Sequence, residues 1–220
     1  MSLIDKSFIK EFITAKAPWC ESHGAELGTE KLGAGILYYG LTYAFQPKTC
    51  VCLGSGGGFV PRLMRQAQRD LGLERSRTVL VDGATNVDEA NIAIWGNPRW
   101  LPEESHFRQN YPEIDIRIAL TEDAFRDYFE PNQVTIDYLH IDADHHYEGV
   151  KLDWDLYRTL VPDHGIITLH DTVNYRVPCG VYQLMDEIRE QGEYEMINFP
   201  IKYGTAILRK RQADGRPADV

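Results

Sequence analysis

Two stretches of the chain, IDYLHIDADHHYEG (residues 136–149) and GIITLHDT (residues 165–172), decide how the rest is read. Each begins as a short apolar run and ends on a burst of Asp and His, with the amphipathic VKLDWDLY (residues 150–157) between them. That is the pattern of strand, helix, strand. Strands joined by a crossover helix run parallel, and parallel strands deliver their last residues to the same carboxyl edge of a sheet. Asp142 and Asp144 are therefore expected to meet His170, Asp171 and Thr172 there. Converging carboxylates repel unless a cation neutralises them, and hard oxygen donors suit Mg2+ or Mn2+. The plainer alternative is that one acid caps the next helix while the others are hydrated.

Working outward, three further β-rich runs alternate with amphipathic segments: TCVCLG (49–54), TVLVDG (78–83) and IDIRIAL (114–120). The expected fold class is α/β, a Rossmann-like doubly wound and mostly parallel sheet with helices on both faces. The end of the chain departs from this pattern. YEMINFP (194–200) and YGTAILRK (203–210) leave no room for a crossover helix, so they are expected to form a C-terminal antiparallel pair. VYQLMDEIRE (181–190) reads as the helix before it. No repeat or linker divides the sequence, so residues 1–209 read as one domain. Residues 1–47 form a helical lead-in and residues 210–220 a flexible tail. WGNPRWLPEESHFRQNYP (95–112) breaks the alternation and reads as a long loop or irregular helix, either shaping a substrate pocket or standing in solvent.

The chain has 220 residues, 43% hydrophobic and 25% charged, enough for one ordinary core. Its net charge of -10 disfavours nucleic acid as a partner, since phosphate binding relies on clustered Lys and Arg. No apolar run approaches the roughly 20 residues that cross a bilayer, and the charged start MSLIDKSFIKEF does not read as a signal peptide. A cytoplasmic protein acting on a small molecule, with no membrane role, is expected. The four cysteines lack metal spacing, and Cys50 and Cys52 read as small buried hydrophobes within a strand. GAGILYYGLTYAF (33–45) is apolar enough to serve a homodimer interface or, more simply, to pack as a helix on its own sheet.

VCLGSGGGF (51–59) runs from a strand into Gly54, Ser55, Gly56, Gly57 and Gly58. Glycines there permit positive φ and a close ligand approach, and the helix that follows offers free N–H groups. The dinucleotide pattern G-x-G-x-x-G fails at its last place, where Phe59 stands. A second strand ends on Asp82, where a carboxylate can accept both hydroxyls of a ribose. Together these features point to a nucleoside ligand of the nicotinamide or S-adenosylmethionine type.

The glycine turn, Asp82, DADHHYEG and LHDT together resemble the class I S-adenosylmethionine-dependent methyltransferases that transfer methyl groups to oxygen with a metal ion. The plan is that of catechol and caffeoyl-CoA O-methyltransferases. The wording is closer to bacterial sugar and macrolide-sugar O-methyltransferases, which share IDADH-YEGV and HDT phrases. The resemblance implies S-adenosylmethionine and Mg2+ (or Mn2+) as cofactors, with Asp142 and Asp171 as metal ligands. Thr172 replaces the customary Asn, leaving Thr172, His170 or water as third ligand. It implies His145, three places after Asp142, as the general base. Gly54, Ser55, Gly56 and Phe59 would line the methionine and ribose region, with Asp82 on the ribose, Thr121 and Glu122 near the adenine and Asp142 also near the cofactor. Cys52 stands where the catechol enzymes carry a Glu. The implied acceptor is a sugar hydroxyl, with a phenolic or catechol-like one as the alternative, and Trp95, Trp100 and Tyr111 are candidates to stack on either ring.

An alcohol is a poor nucleophile at neutral pH and the sulfonium methyl is already activated, so such a protein has to make and aim an oxyanion. Competing readings use fewer of these residues. A non-haem iron oxygenase built on His140, Asp142 and His170 has no use for the glycine turn or Asp82. A nicotinamide dehydrogenase leaves the acid cluster unexplained, and a binding module would retain the nucleoside without turnover.

Overall fold

The computed structural model describes residues 5–83 and 102–211. Its centre is a seven-stranded sheet formed by β1 (Thr49–Leu53), β2 (Arg77–Asp82), β3 (Asp115–Ile118), β4 (Tyr138–Ile141), β5 (Ile166–His170), β6 (Tyr194–Phe199) and β7 (Thr205–Lys210). The spatial order is β3-β2-β1-β4-β5-β7-β6. Strands β1 to β5 pair in parallel, while β7 is antiparallel to both β5 and β6. The order reverses between β1 and β4, and in open α/β sheets ligands bind beyond the carboxyl ends of the strands at such a switch point.

Period-two alternation distributes the side chains between two cores. Val51, Leu53, Val79, Val81, Leu139 and Leu169 face one layer, which contains α3 (Tyr147–Tyr157) and α4 (Val181–Gln191). Cys50, Cys52, Leu80, Tyr138 and Ile166 face the other, where α1 (Gly35–Phe45), α2 (Phe59–Asp70) and the lead-in pack. Cys50 and Cys52 are fully buried thiols, as their spacing predicts. The stretch 33–45 supplies α1, and its Tyr38 is buried against the sheet.

The lead-in is helical only in parts, which corrects the expectation of a helical 1–47. A helical turn at Lys6–Phe8 runs into a π-turn at Ile9–Ile13, and a 3-10 turn follows at Cys20–His23. Pro18 separates the π-turn from the 3-10 turn, and glycines at 24, 28 and 33, each at positive φ, interrupt helix from there to α1. Arg62 of α2 holds this irregular chain in place. Its buried guanidinium donates to the carbonyls of Ile13 (2.9 Å) and Ala15 (2.7 Å).

The described part of the stretch 95–112 is irregular chain with one short helix, within the expected loop or irregular helix. His106–Asn110 is a short helix, capped by the Ser105 hydroxyl accepting from the Arg108 amide at 3.2 Å. Phe107 and Tyr111 are buried in the core beside α2, so Tyr111 is a packing residue with its hydroxyl on Gln66 (3.2 Å) and cannot stack on an acceptor. Trp95 and Trp100 lie outside the described residues, as does the tail from residue 212.

Candidate functional site

At the carboxyl end of β1 the chain turns through Gly54, Ser55 and Gly56, with φ of +71° at Gly54 and +52° at Gly56. Both values favour glycine. The Gly54 amide donates to Val81 O at 2.8 Å, which draws the turn against the end of β2 and Asp82. A Cβ on Gly54 would lie 2.2 Å from Asp142 O, so the glycine turn and the loop after β4 touch through backbone alone. A Cβ on Gly57 would lie 2.2 Å from Pro18 O, which places the lead-in on the turn's other side. Among the described residues the buried Ser55 hydroxyl has no hydrogen-bond partner, an observation that fits a polar ligand seated at this turn. Phe59 lies beneath the turn, fully buried, with its ring centroid 5.5 Å from that of His23. Thr121 and Glu122 begin a helical turn after β3, where Thr121 O accepts from the Tyr157 hydroxyl at 2.7 Å.

The second half of the edge is made of side chains. Tyr138 and His140 on β4, and Ile166, Thr168 and His170 on β5, alternate onto the face covered by the lead-in. Asp142 continues the β4 parity and meets four imidazoles. Asp142 Oδ1 lies 3.0 Å from His170 Nδ1 and 3.3 Å from His145 Nε2, while Oδ2 lies 3.6 Å from His23 Nε2 and 3.7 Å from His140 Nε2. Asp171, whose φ of +60° turns it back at the end of β5, brings Oδ2 to 3.1 Å from His170 Nδ1 and 3.2 Å from His145 Nε2. Its Oδ1 accepts from Asn174 Nδ2 at 2.8 Å.

Charge follows from this packing. Burial opposes ionisation of Asp142, yet the His170 charge and hydrogen bonds from the surrounding imidazoles outweigh it and hold the carboxyl well below its ordinary range. Burial likewise opposes charge on His170, but Asp142 and Asp171 prevail and push its pKa up to about 10. His145 is raised for the same reason, its hydrogen bond with Asp142 and the two carboxylate charges overcoming desolvation. Burial, helped by the His170 charge, keeps His23 neutral.

The structure thus brings together His145, Asp142 and Asp171, with the glycine turn beside them. It leaves others apart. Asp144 is half exposed and accepts from the His146 amide (2.8 Å) and ring (2.7 Å) just before α3, turned away from the cluster. The Thr172 hydroxyl donates to Asn198 Oδ1 on β6 at 2.7 Å. His23 and Asn174 carry no motif that marks them in the sequence. Only the alternation that puts His140 and His170 on the lead-in face hints that a partner is needed there.

A family model described as a methyltransferase domain matches residues 51–172. No curated protein matches the chain in sequence. Among solved structures, it is similar to the O-methyltransferase TomG of Streptomyces achromogenes, involved in tomaymycin synthesis and solved with SAM. There the identity is 13% and the TM-score 0.59, over 87% of this chain and 86% of that one. The SAH-bound methyltransferase PaMTH1 of Podospora anserina shares 14% identity at a TM-score of 0.58, over 83% and 79% of the two chains. A putative caffeoyl-CoA O-methyltransferase of Staphylococcus aureus shares 14% at 0.58, over 80% and 82%. At these identities the likeness is one of fold.

Proposed function

We propose that this chain, which belongs to the methyltransferase-domain family, transfers the methyl group of S-adenosylmethionine to a hydroxyl of a small acceptor. The observation that carries this reading is the position of His145 Nε2, 3.3 Å from Asp142 Oδ1 and 3.2 Å from Asp171 Oδ2, beside a glycine turn whose buried Ser55 hydroxyl has no partner among the described residues. Gly54, Ser55 and Gly56 cradle the methionine end of the cofactor, Asp82 accepts the ribose hydroxyls, and Thr121 and Glu122 flank the adenine. S-adenosylmethionine supplies an activated methyl group, so the protein's share of the work is to hold an acceptor oxygen in line and remove its proton.

His145 takes that proton. Its contacts with Asp142 and Asp171 orient the ring and stabilise the imidazolium that results. Asp142 and Asp171 would hold a divalent ion, which supplies charge that stabilises the developing oxyanion. The fully buried His140 Nε2 atom lies 3.7 Å from Asp142 Oδ2 and makes no hydrogen bond among the described residues, which supports a missing partner at this cluster. We place a sugar hydroxyl as the acceptor, on the DADHHYEGV and LHDT wording. A phenolic acceptor is the second reading, favoured by the similarity in fold to the putative caffeoyl-CoA O-methyltransferase of Staphylococcus aureus.

The test is calorimetry with S-adenosylmethionine and NAD, followed by methyl transfer to sugar and phenol panels before and after chelation. S-adenosylmethionine binding, with transfer lost on chelation and restored by metal, is the expected outcome. Binding of NAD alone overturns the cofactor assignment, and full rate after chelation overturns the metal.

A further inference from the structure

Nitrogen atoms surround the acid pair where a magnesium site would present oxygens. Mg2+ demands near-ideal octahedral oxygen coordination, whereas imidazole suits Zn2+, Co2+ and their first-row neighbours. We propose that the ion belonging at this site is a borderline transition metal held by the His170 and His23 imidazoles together with Asp142, with Asp171 beside them. This rests on the reading of the cluster as the metal centre of a methyltransferase.

Distances support a shared ion. Ligand atoms about 2.1 Å from a common centre are separated by about 3.0 Å at right angles and about 3.4 Å in a tetrahedron. His170 Nδ1 stands 3.0 Å from Asp142 Oδ1 and 3.1 Å from Asp171 Oδ2, and His23 Nε2 stands 3.6 Å from Asp142 Oδ2. The ligating atoms of His23, Asp142 and His170 all lie within 4.8 Å of one another.

The remote nitrogens are anchored in the way that metal-binding imidazoles are. A ligating histidine fixes its ring by using the other nitrogen on a carbonyl, carboxylate or water. His170 Nε2 lies 3.3 Å from Ser22 O, which anchors the ring and leaves Nδ1 directed at Asp142 and Asp171. His23 Nδ1 lies 2.9 Å from the Tyr38 hydroxyl, which is itself 3.0 Å from Thr205 Oγ1, and this leaves Nε2 facing Asp142. The ring centroids of His23 and His170 lie 4.0 Å apart with the planes tilted by 38°, and both residues are almost fully buried, so neither is a casual surface contact. The Thr172 hydroxyl donates its hydrogen to Asn198 Oδ1 on β6. His145 is left at the rim, 20% exposed, for the acceptor.

The alternative is a cluster without nitrogen ligands, in which a doubly protonated His170 bridges the two carboxylates. Pulsed electron paramagnetic resonance on the full-length chain loaded with one equivalent of Cu2+ separates the two. Imidazole 14N coupling is expected in the wild type and in His145→Ala, weakened in His23→Gln and lost in His23→Gln/His170→Gln. By calorimetry, His23→Gln should weaken Zn2+ binding at least tenfold and change Mg2+ binding less than threefold. Absence of 14N coupling in the wild type overturns the proposal even if the variants do not fold. So does coupling that persists in the double variant, or Zn2+ and Mg2+ affinities that fall together. S-adenosylmethionine binding, measured on the same samples, distinguishes the failures: if it is absent in the wild type, the methyltransferase reading fails, and if it is present without 14N coupling, only the ion assignment fails.

Discussion

The glycine turn after β1 and the acid and imidazole cluster after β4 and β5 share one edge of one sheet, but they are built from different materials. The turn is a backbone structure, in which Gly54 approaches Asp142 O so closely that a single added carbon would collide with it. The cluster is a side-chain structure, in which one carboxylate faces four imidazoles contributed by β4, β5, the loop before α3 and the lead-in. A backbone-built site depends on what is absent, namely a Cβ. A side-chain site depends on what is present and on which way each ring points. Substitutions should therefore fail differently at the two ends.

The largest effect is expected at the side-chain end. General bases typically contribute about 100- to 10,000-fold, so His145→Ala should lower kcat by that order while S-adenosylmethionine binding stays nearly intact. Isothermal titration beside steady-state kinetics checks this, and a parallel loss of cofactor affinity would blur the division between the two ends. At the backbone end Gly54→Ala places a methyl 2.2 Å from Asp142 O at a φ of +71°. A loss of about 3 kcal/mol of stability is expected from overpacking and left-handed strain. Urea denaturation measures it; a change under about 1 kcal/mol would mean that the two loops part easily.

A smaller effect, about tenfold weaker S-adenosylmethionine binding with unchanged metal affinity, is expected for Asp82→Ala, since one of several cofactor contacts is lost. Equal weakening of metal binding in that variant would show that the ends are coupled. The least effect belongs to His146→Ala. His146 is exposed, pairs with Asp144 at the start of α3 and lies outside the cluster, so kcat should change less than threefold. A loss at His146 that matches or exceeds that at His145 would move the proton transfer to the other ring.

The two ends also differ in how plainly the chain announces them. VCLGSGGGF and TVLVDG mark the turn and Asp82 because a glycine requirement is local: positive φ is a property of one residue and its neighbours. The convergence of Asp142 with Asp171 is legible too, since parallel strands bring their carboxyl ends to one edge. His23 is not legible, because nothing near SHG says that a lead-in will fold over that edge. Tyr111 misleads for the converse reason. An aromatic in an irregular stretch suggests a ligand contact, but its ring fills space beside Gln66 and Arg69.

What the sequence alone determined is the order of the elements and the residues at their ends. Alternating apolar runs, the short link between the last two strands and the glycine turn are all consequences of local geometry, which acts over a few residues at a time. Only the tertiary structure decided which side chains share the site. Ser22 and His170 meet across 148 residues, and the guanidinium of Arg62 holds the lead-in carbonyls that bring His23 to Asp142. Thr172 turns to Asn198 on β6 because the neighbouring strand offers its hydroxyl an acceptor there. Such orientations follow from burial, where each polar group has to find a partner among whatever distant segments pack around it.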